Sequence, residues 1–290
     1  MNIAWHHYRG TVPDGWEVSL YSIEDRLGRI EFATRNGLEG TLSWEPCERE
    51  PDKQTTMTSF LANNILGKKE AQRRGLRPED VHTDEVGEFV LGWLEEDMPL
   101  QALAYDRTGR SLVRWIFEGH TSAKHRREIV APILRSVSFN EDPDVREYNL
   151  FGIHANLPTD YKLEYMAALP AAVAMTFEGD ESHARVSLRR WGLAETLVHR
   201  RGLEGFYRSV AQRAHILIDS CEAREIEGCE GLFVRYSAPR EFHGDRFMAR
   251  RWNNGIAYVR HDREANRIFA FEQIGPKDYG QLPLSTVLFD

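Results

Sequence analysis

The residues able to do chemistry are few and poorly grouped. His6 and His7 are adjacent at a predicted strand start, where neighbours point to opposite faces, so they cannot share a metal on a strand. His120 and His125 flank a predicted helix start, and a spacing of five is not the i, i+4 of a helical zinc pair. Cys47 follows Trp44-Glu45-Pro46 with no base in sequence to lower its pKa, which predicts a packed strand-end thiol. Cys221 and Cys229 lack the CxxC spacing of redox or zinc sites and are expected as free thiols. Gly37-Leu38-Glu39-Gly40 and Gly228-Cys229-Glu230-Gly231 read as turn glycines, and no Gly-Lys-Ser/Thr phosphate loop exists. No cofactor, no metal and no catalytic residue is expected.

Arginines and aromatics make the second group. Glu95-Glu96-Asp97 in the first half contrasts with a run of arginines in the second, among them Arg185, Arg189, Arg190, Arg246, Arg250 and Arg260. On alternating strands Arg185 and Arg189 face one way, as do Arg246 and Arg250. With Trp191, Trp252 and Tyr258 nearby, these are residue types enriched where proteins bind proteins. The expected partner-binding set is Arg189, Trp191, Arg246, Arg250, Trp252 and Tyr258, offered to a protein partner that presents an acidic or apolar segment. Trp16, Trp44, Trp93 and Trp115 are expected in the core, where large aromatics dominate burial.

Composition narrows the classes. The chain has 290 residues, 41% hydrophobic and 28% charged, the mixture of a folded protein. A formal net charge of −8 disfavours generic nucleic-acid binding. No apolar run is long enough to span a bilayer, so membrane insertion is not expected. Met1 to Arg9 carries no apolar stretch of a secretory signal, and the cytoplasm is the expected compartment. Oligomeric state is left open.

The elements that must position these residues recur. Val12-Pro13-Asp14-Gly15-Trp16-Glu17-Val18 parallels Leu157-Pro158-Thr159-Asp160-Tyr161-Lys162-Leu163, 145 positions later. At that spacing Ile30-Glu31-Phe32 falls on Met175-Thr176-Phe177, and Thr41-Leu42-Ser43-Trp44 on Val186-Ser187-Leu188-Arg189. A helix is predicted from Thr56 or Thr58 to about Arg74, with Phe60, Leu61, Ile65 and Leu66 on one face, and another through Leu203, Phe206, Tyr207, Val210 and Ala214. Strands follow: 87–93 beside 231–236, 100–105 beside 247–252, and 112–118 beside 267–272. An extra hairpin is expected around Asn253-Asn254-Gly255. A helix over 122–136 closes the first half, and its counterpart at 282–289 is shortened or lost.

This order, carried by Val12-Pro13-Asp14-Gly15-Trp16, Phe60 to Arg74, Phe89 to Trp93, Trp115-Ile116-Phe117-Glu118 and Ser136-Val137-Ser138-Phe139, resembles the PsbP/DcrB-like superfamily. The resemblance implies an α+β fold in two tandem units, each an antiparallel β-sheet with helices packed on one face. The units are expected at 1–140 and 157–290, joined by a linker at 141–156. Members of that superfamily serve as photosystem-associated subunits, small-GTPase partners and chaperones of type VI secretion effectors, without a shared catalytic motif. The implied function is a non-catalytic binding or adaptor module, working through an exposed sheet face or a groove between the halves. The alternatives are a chaperone for apolar segments of secretion effectors, and an enzyme gathering Cys47, His120 or His215 with carboxylates.

Overall fold

The computed structural model describes the chain except residues 25, 64–68, 70–72, 74–76, 95–97, 119–121, 141, 170, 181–182, 240–251, 277–280 and 289–290. At 78, 239, 252–253 and 286–288 it describes the backbone alone. The fold is α+β, dominated by antiparallel strands, in two compact units, Met1–Leu150 and Phe151–Asp290.

In the first unit, β1 (Asn2–His6) and β2 (Tyr8–Thr11) form a hairpin, followed by β3 (Glu17–Ile23), β4 (Gly28–Thr34) and β5 (Gly37–Pro46). The helix Lys53–Leu61 comes next, then β6 (His82–Val86), β7 (Phe89–Trp93), β8 (Leu100–Asp106) and β9 (Ser111–Phe117). Helical turns from Ala123 to Ser136 lead to β10 (Ser138–Phe139) and β11 (Val145–Leu150). The main sheet runs β3-β4-β5-β9-β8-β7-β6. On one face Phe32, Trp115 and Phe117 stack at 5.4 and 5.3 Å, and the Trp115 indole donates to the Tyr8 hydroxyl at 3.0 Å. On the other, Met57 and Leu61 pack with Leu103 and Val81.

In the second unit, β12 (Ile153–Pro158) precedes β13 (Tyr161–Leu169), β14 (Ala172–Gly179) and β15 (Arg185–Gly192). The helices Ala194–Val198 and Gly202–Arg213 follow, then β16 (Leu217–Ile226), β17 (Cys229–Pro239), β18 (Trp252–Asp262), β19 (Arg267–Gly275) and β20 (Val287–Leu288). The main sheet runs β13-β14-β15-β19-β18-β17-β16. The helix Gly202–Arg213 buries Leu203, Phe206, Tyr207 and Ala211, spaced by three and four, against Leu232, Val234, Ala257, Val259, Ile268 and Ala270. Each large side chain removed from water there is worth about 1.5–3 kcal/mol.

The two sheets share one strand order, with a helix after the third strand of each. Their ladders correspond at the first hairpin and at the central pair of strands. Val18 pairs with Phe32 as Leu163 pairs with Phe177, and both hairpins shift register at the next step, before Leu20 and before Tyr165. Leu42 pairs with Trp115 as Leu188 pairs with Phe271.

Several expectations are revised. The helix predicted from Thr56 or Thr58 starts at Lys53, because Asp52 caps it by accepting the Thr55 N–H at 2.7 Å. Its predicted continuation to Arg74 falls largely outside the described residues. Residues 145–150 and 153–156, read as linker, lie in β11 and β12. Asn253-Asn254-Gly255 is not a turn but the start of β18, paired with Ala238, Ser237 and Tyr236. Gly255 is needed there for contact: a Cβ would lie 2.3 Å from the Tyr236 ring and 2.8 Å from the Gln273 carbonyl. The expected strand at 247–251 lies outside the described residues. The lost closing helix of the second half is replaced by a 3-10 turn, Leu284–Thr286, and β20.

Candidate functional site

Strand β14 sets the geometry of the second unit. Its side chains alternate between half-buried and buried along the whole strand. Val173, Met175 and Phe177 go to one face, where they are buried with Val186, Leu188, Phe269 and Phe271, and half-buried Arg190 stands at the end of that face. Ala172, Ala174 and Thr176 go to the other face, beside Trp191, Arg189 and Ser187 of β15 and Leu169, Ala167 and Tyr165 of β13. That second face is covered by the helix Gly202–Arg213 over β17, β18 and β19, while over β13 it stays accessible. Tyr165 is 57% exposed and Leu169 66%. The Gly192 N–H donates to the Ala171 carbonyl at 2.9 Å, which brings exposed Leu193 to the turn between β13 and β14.

The equivalent half-face of the first unit carries more charge, although Leu20 and Leu27 are exposed on it at the positions of Tyr165 and Ala172. Where the second unit has Leu169, Ala174, Thr176 and Trp191, the first has Glu24, Arg29, Glu31 and Glu45 in matching ladder positions. Arg29 and Glu31 pair at 2.7 Å. A shallow cavity of about 290 Å³ opens there, lined by Glu24, Arg29, Glu45 and Arg114 among others.

Arg189 sits at the inner margin of the apolar half-face. Its Nε lies 3.0 Å from Glu272, a buried carboxylate that also accepts the Tyr207 hydroxyl at 2.9 Å. Burial and the adjacent Glu272 charge hold the Tyr207 phenol well above its ordinary pKa, so it acts as a donor and not as an acid. Trp191 is half-buried and meets Phe206 edge-on at 5.3 Å. Tyr258 projects to the opposite face, between Phe233 at 5.1 Å and Phe271 at 6.3 Å, so it does not join Arg189 and Trp191. Arg246 and Arg250 lie outside the described residues, and of Trp252 only the backbone, at the start of β18, is described. The exposed members, Tyr165, Leu169 and Leu193, were missed in the sequence because an apolar residue on a strand reads as core. For Leu169 the signal that could have found it is its charged counterpart Glu24; Tyr165 corresponds to Leu20 and gives no such signal.

The reactive groups stay apart in sequence and role. The Cys47 thiol donates to the Arg49 carbonyl at 3.0 Å. Burial pushes the Cys221 thiol up, the wrong direction for a nucleophile. His215 is exposed in a left-handed conformation, and His120 lies outside the described residues. Of the four tryptophans expected in the core, Trp16, Trp44 and Trp115 are buried and Trp93 is half-buried. Among the described residues no group of three or more His, Cys, Asp or Glu is placed to hold a metal, and no helix is long and apolar enough to cross a membrane.

No family model and no curated protein matches the chain. Among solved structures it is similar to the cyanobacterial PsbP (CyanoP) of Synechocystis sp., at 14% identity and a TM-score of 0.32, over 47% of this chain and 82% of that one. It is also similar to the immunity protein TplEi of T6SS from Pseudomonas aeruginosa. In the complex with "L" peptide the identity is 13% and the TM-score 0.33, over 93% of this chain and 91% of that one. In the apo form the identity is 14% and the TM-score 0.33, over 92% and 90%.

Proposed function

We propose that this chain is a protein-binding module built from two diverged copies of one PsbP/DcrB-like unit, in which the second copy receives an apolar segment of a partner protein. The receiving surface is the half-face formed by Tyr165, Leu169, Ala172, Ala174 and Trp191, with Leu193 at its end. One observation carries the reading: Tyr165, Leu169 and Leu193 are exposed along this edge, and Leu169, Ala174 and Trp191 stand where the matching ladder positions of the first unit carry Glu24, Arg29 and Glu45, which leaves exposed Leu20 and Leu27 of that unit set among charges. A contiguous exposed apolar patch on a folded unit marks an interaction surface, and a single exposed leucine does not. Trp191 supplies a large, semi-rigid anchor of the kind that dominates binding energy, and Arg189 lies at the margin of the patch. No catalytic role is assigned. An adaptor and a chaperone for apolar segments would use this surface alike, and they differ in whether the partner is held folded or extended.

The test is selection of short phage-displayed peptides on the immobilised wild-type chain and, in parallel, on the Leu169→Gln/Ala174→Gln variant. Both substitutions are at accessible positions and leave the core intact. Apolar sequences should be enriched on the wild type and lost on the variant. Equal enrichment on both, or none on the wild type, overturns the assignment.

A further inference from the structure

The same end of the second sheet carries an uncompensated pair of positive charges on its other face. Arg190 pairs with Phe269, and Gly192 with Arg267, across β15 and β19. The two arginines are therefore diagonal neighbours on one face, about 7–8 Å apart at the backbone and within reach of long side chains. Both are half-buried. Among the described residues neither forms an ion pair or a hydrogen bond with a carboxylate, although Arg260, Arg263, Arg185 and Arg189 all do.

The carboxylates close by are already engaged. Asp262 stands opposite Arg267 in the β18–β19 ladder, yet it takes Arg260 at 3.0 Å and closes its turn by accepting the Ala265 N–H at 2.9 Å. Glu230 is held by Arg263 at 2.8 Å. Burial and the neighbouring Arg267 charge both disfavour the charged form of Arg190. Two like charges held side by side and partly out of water are a cost to the fold that a bound anion relieves. Guanidinium groups are matched in shape to a carboxylate, which they grip with two parallel hydrogen bonds.

We propose that Arg190 and Arg267 form a carboxylate-binding subsite that takes an Asp or Glu side chain of an acidic segment in the partner. This rests on the protein-binding reading and adds to it the chemistry of a second contact. The partner is then an apolar stretch accompanied by acidic residues.

The probe is a fluorescently labelled oligoglutamate peptide, with an oligoglutamine peptide of equal length as control, followed by anisotropy. The wild type should bind the glutamate peptide in preference, with affinity falling as salt rises. Arg190→Gln/Arg267→Gln should lose at least about tenfold, while Arg190→Lys/Arg267→Lys should retain part of the affinity as point charges. Leu169→Gln/Ala174→Gln should leave this binding unchanged. Absent binding, or binding undiminished in the double Gln variant, overturns the subsite. Inorganic phosphate that binds the pair while the peptide does not would make it a site for free oxyanions and likewise overturn it. If apolar peptides are still selected when the glutamate peptide fails, the subsite falls and the apolar docking surface stands.

Discussion

The Tyr207 hydroxyl donates to Glu272 at 2.9 Å, from the helix Gly202–Arg213 down onto the sheet, and the other carboxylate oxygen lies 3.0 Å from Arg189. Glu272 is buried, so these two partners are what compensate its lost hydration. Tyr207→Phe removes one of them while keeping the ring packed. It should destabilise the second unit by about 1–3 kcal/mol, read as a lower urea midpoint at unchanged slope. Tyr207→Phe combined with Glu272→Gln should cost less than the sum of the two single changes, because the carboxylate that needs the donor is gone.

Two strand glycines at close contacts should respond differently to alanine. At Gly255 the added Cβ would meet the Tyr236 ring at 2.3 Å and the Gln273 carbonyl at 2.8 Å, and the carbonyl belongs to a paired strand. At Gly92 the three nearest atoms all belong to the Met57 side chain, with Cγ at 2.5 Å. Methionine is unbranched and adapts to such intrusions. Gly255→Ala should therefore lower the melting temperature clearly more than Gly92→Ala, as overpacking of about 1–3 kcal/mol does.

The first unit should be acid-sensitive through two adjacent histidines. His6 ends β1 in a left-handed conformation, stacked on Trp5 at 5.5 Å and edge-on to Tyr148 at 5.6 Å. Burial first, then the Arg146 charge, holds its pKa well below the ordinary value. His7 is also lowered, by burial, against the opposing pull of Asp106. Both are thus favoured neutral in the folded state. The stability this confers is complete above the unfolded value of about 6.5 and is lost as pH falls from there towards the folded values. Urea titrations from pH 8 to 5 should show a falling midpoint that His7→Gln flattens. His6→Asn, which accepts the left-handed conformation, should flatten it further. A midpoint constant over that range would contradict the assignment.

How far the sequence could be read depended on whether a strand had one covered face or two. The β3–β4 and β13–β14 hairpins were legible at a constant 145 positions, because β14 alternates cleanly and its phase is visible. Later the match failed: 112–118 was set beside 267–272, whereas the ladders equate Leu112 with Ile268 and Trp115 with Phe271, and 100–105 was set beside 247–252, whereas the ladders equate Leu100 with Ile256 and Ala102 with Tyr258. The cause is that β8 and β19 are buried on both faces, Gln101, Glu272 and Gln273 included, so polar and apolar residues do not alternate and give no phase to read. A one-residue slip exchanges the faces. The hairpin β1–β2 and the strands β6 and β16 were missed; β6 and β16 are edge strands with mostly accessible side chains and little apolar patterning. Arg189 and Trp191 of the proposed surface were named by residue type. Grouping them with Tyr258 needed the register, which puts Tyr258 on the opposite face.

The account stands or falls on where a partner segment lies. Amide hydrogen exchange of the full chain, alone and saturated with a peptide selected on it, measures this directly. Slowed exchange confined to β13, β14 and the end of β15, and absent in Leu169→Gln/Ala174→Gln, is the predicted result. Protection that appears only on the charged half-face of β3, β4 and β5, or that persists in the variant, would contradict it.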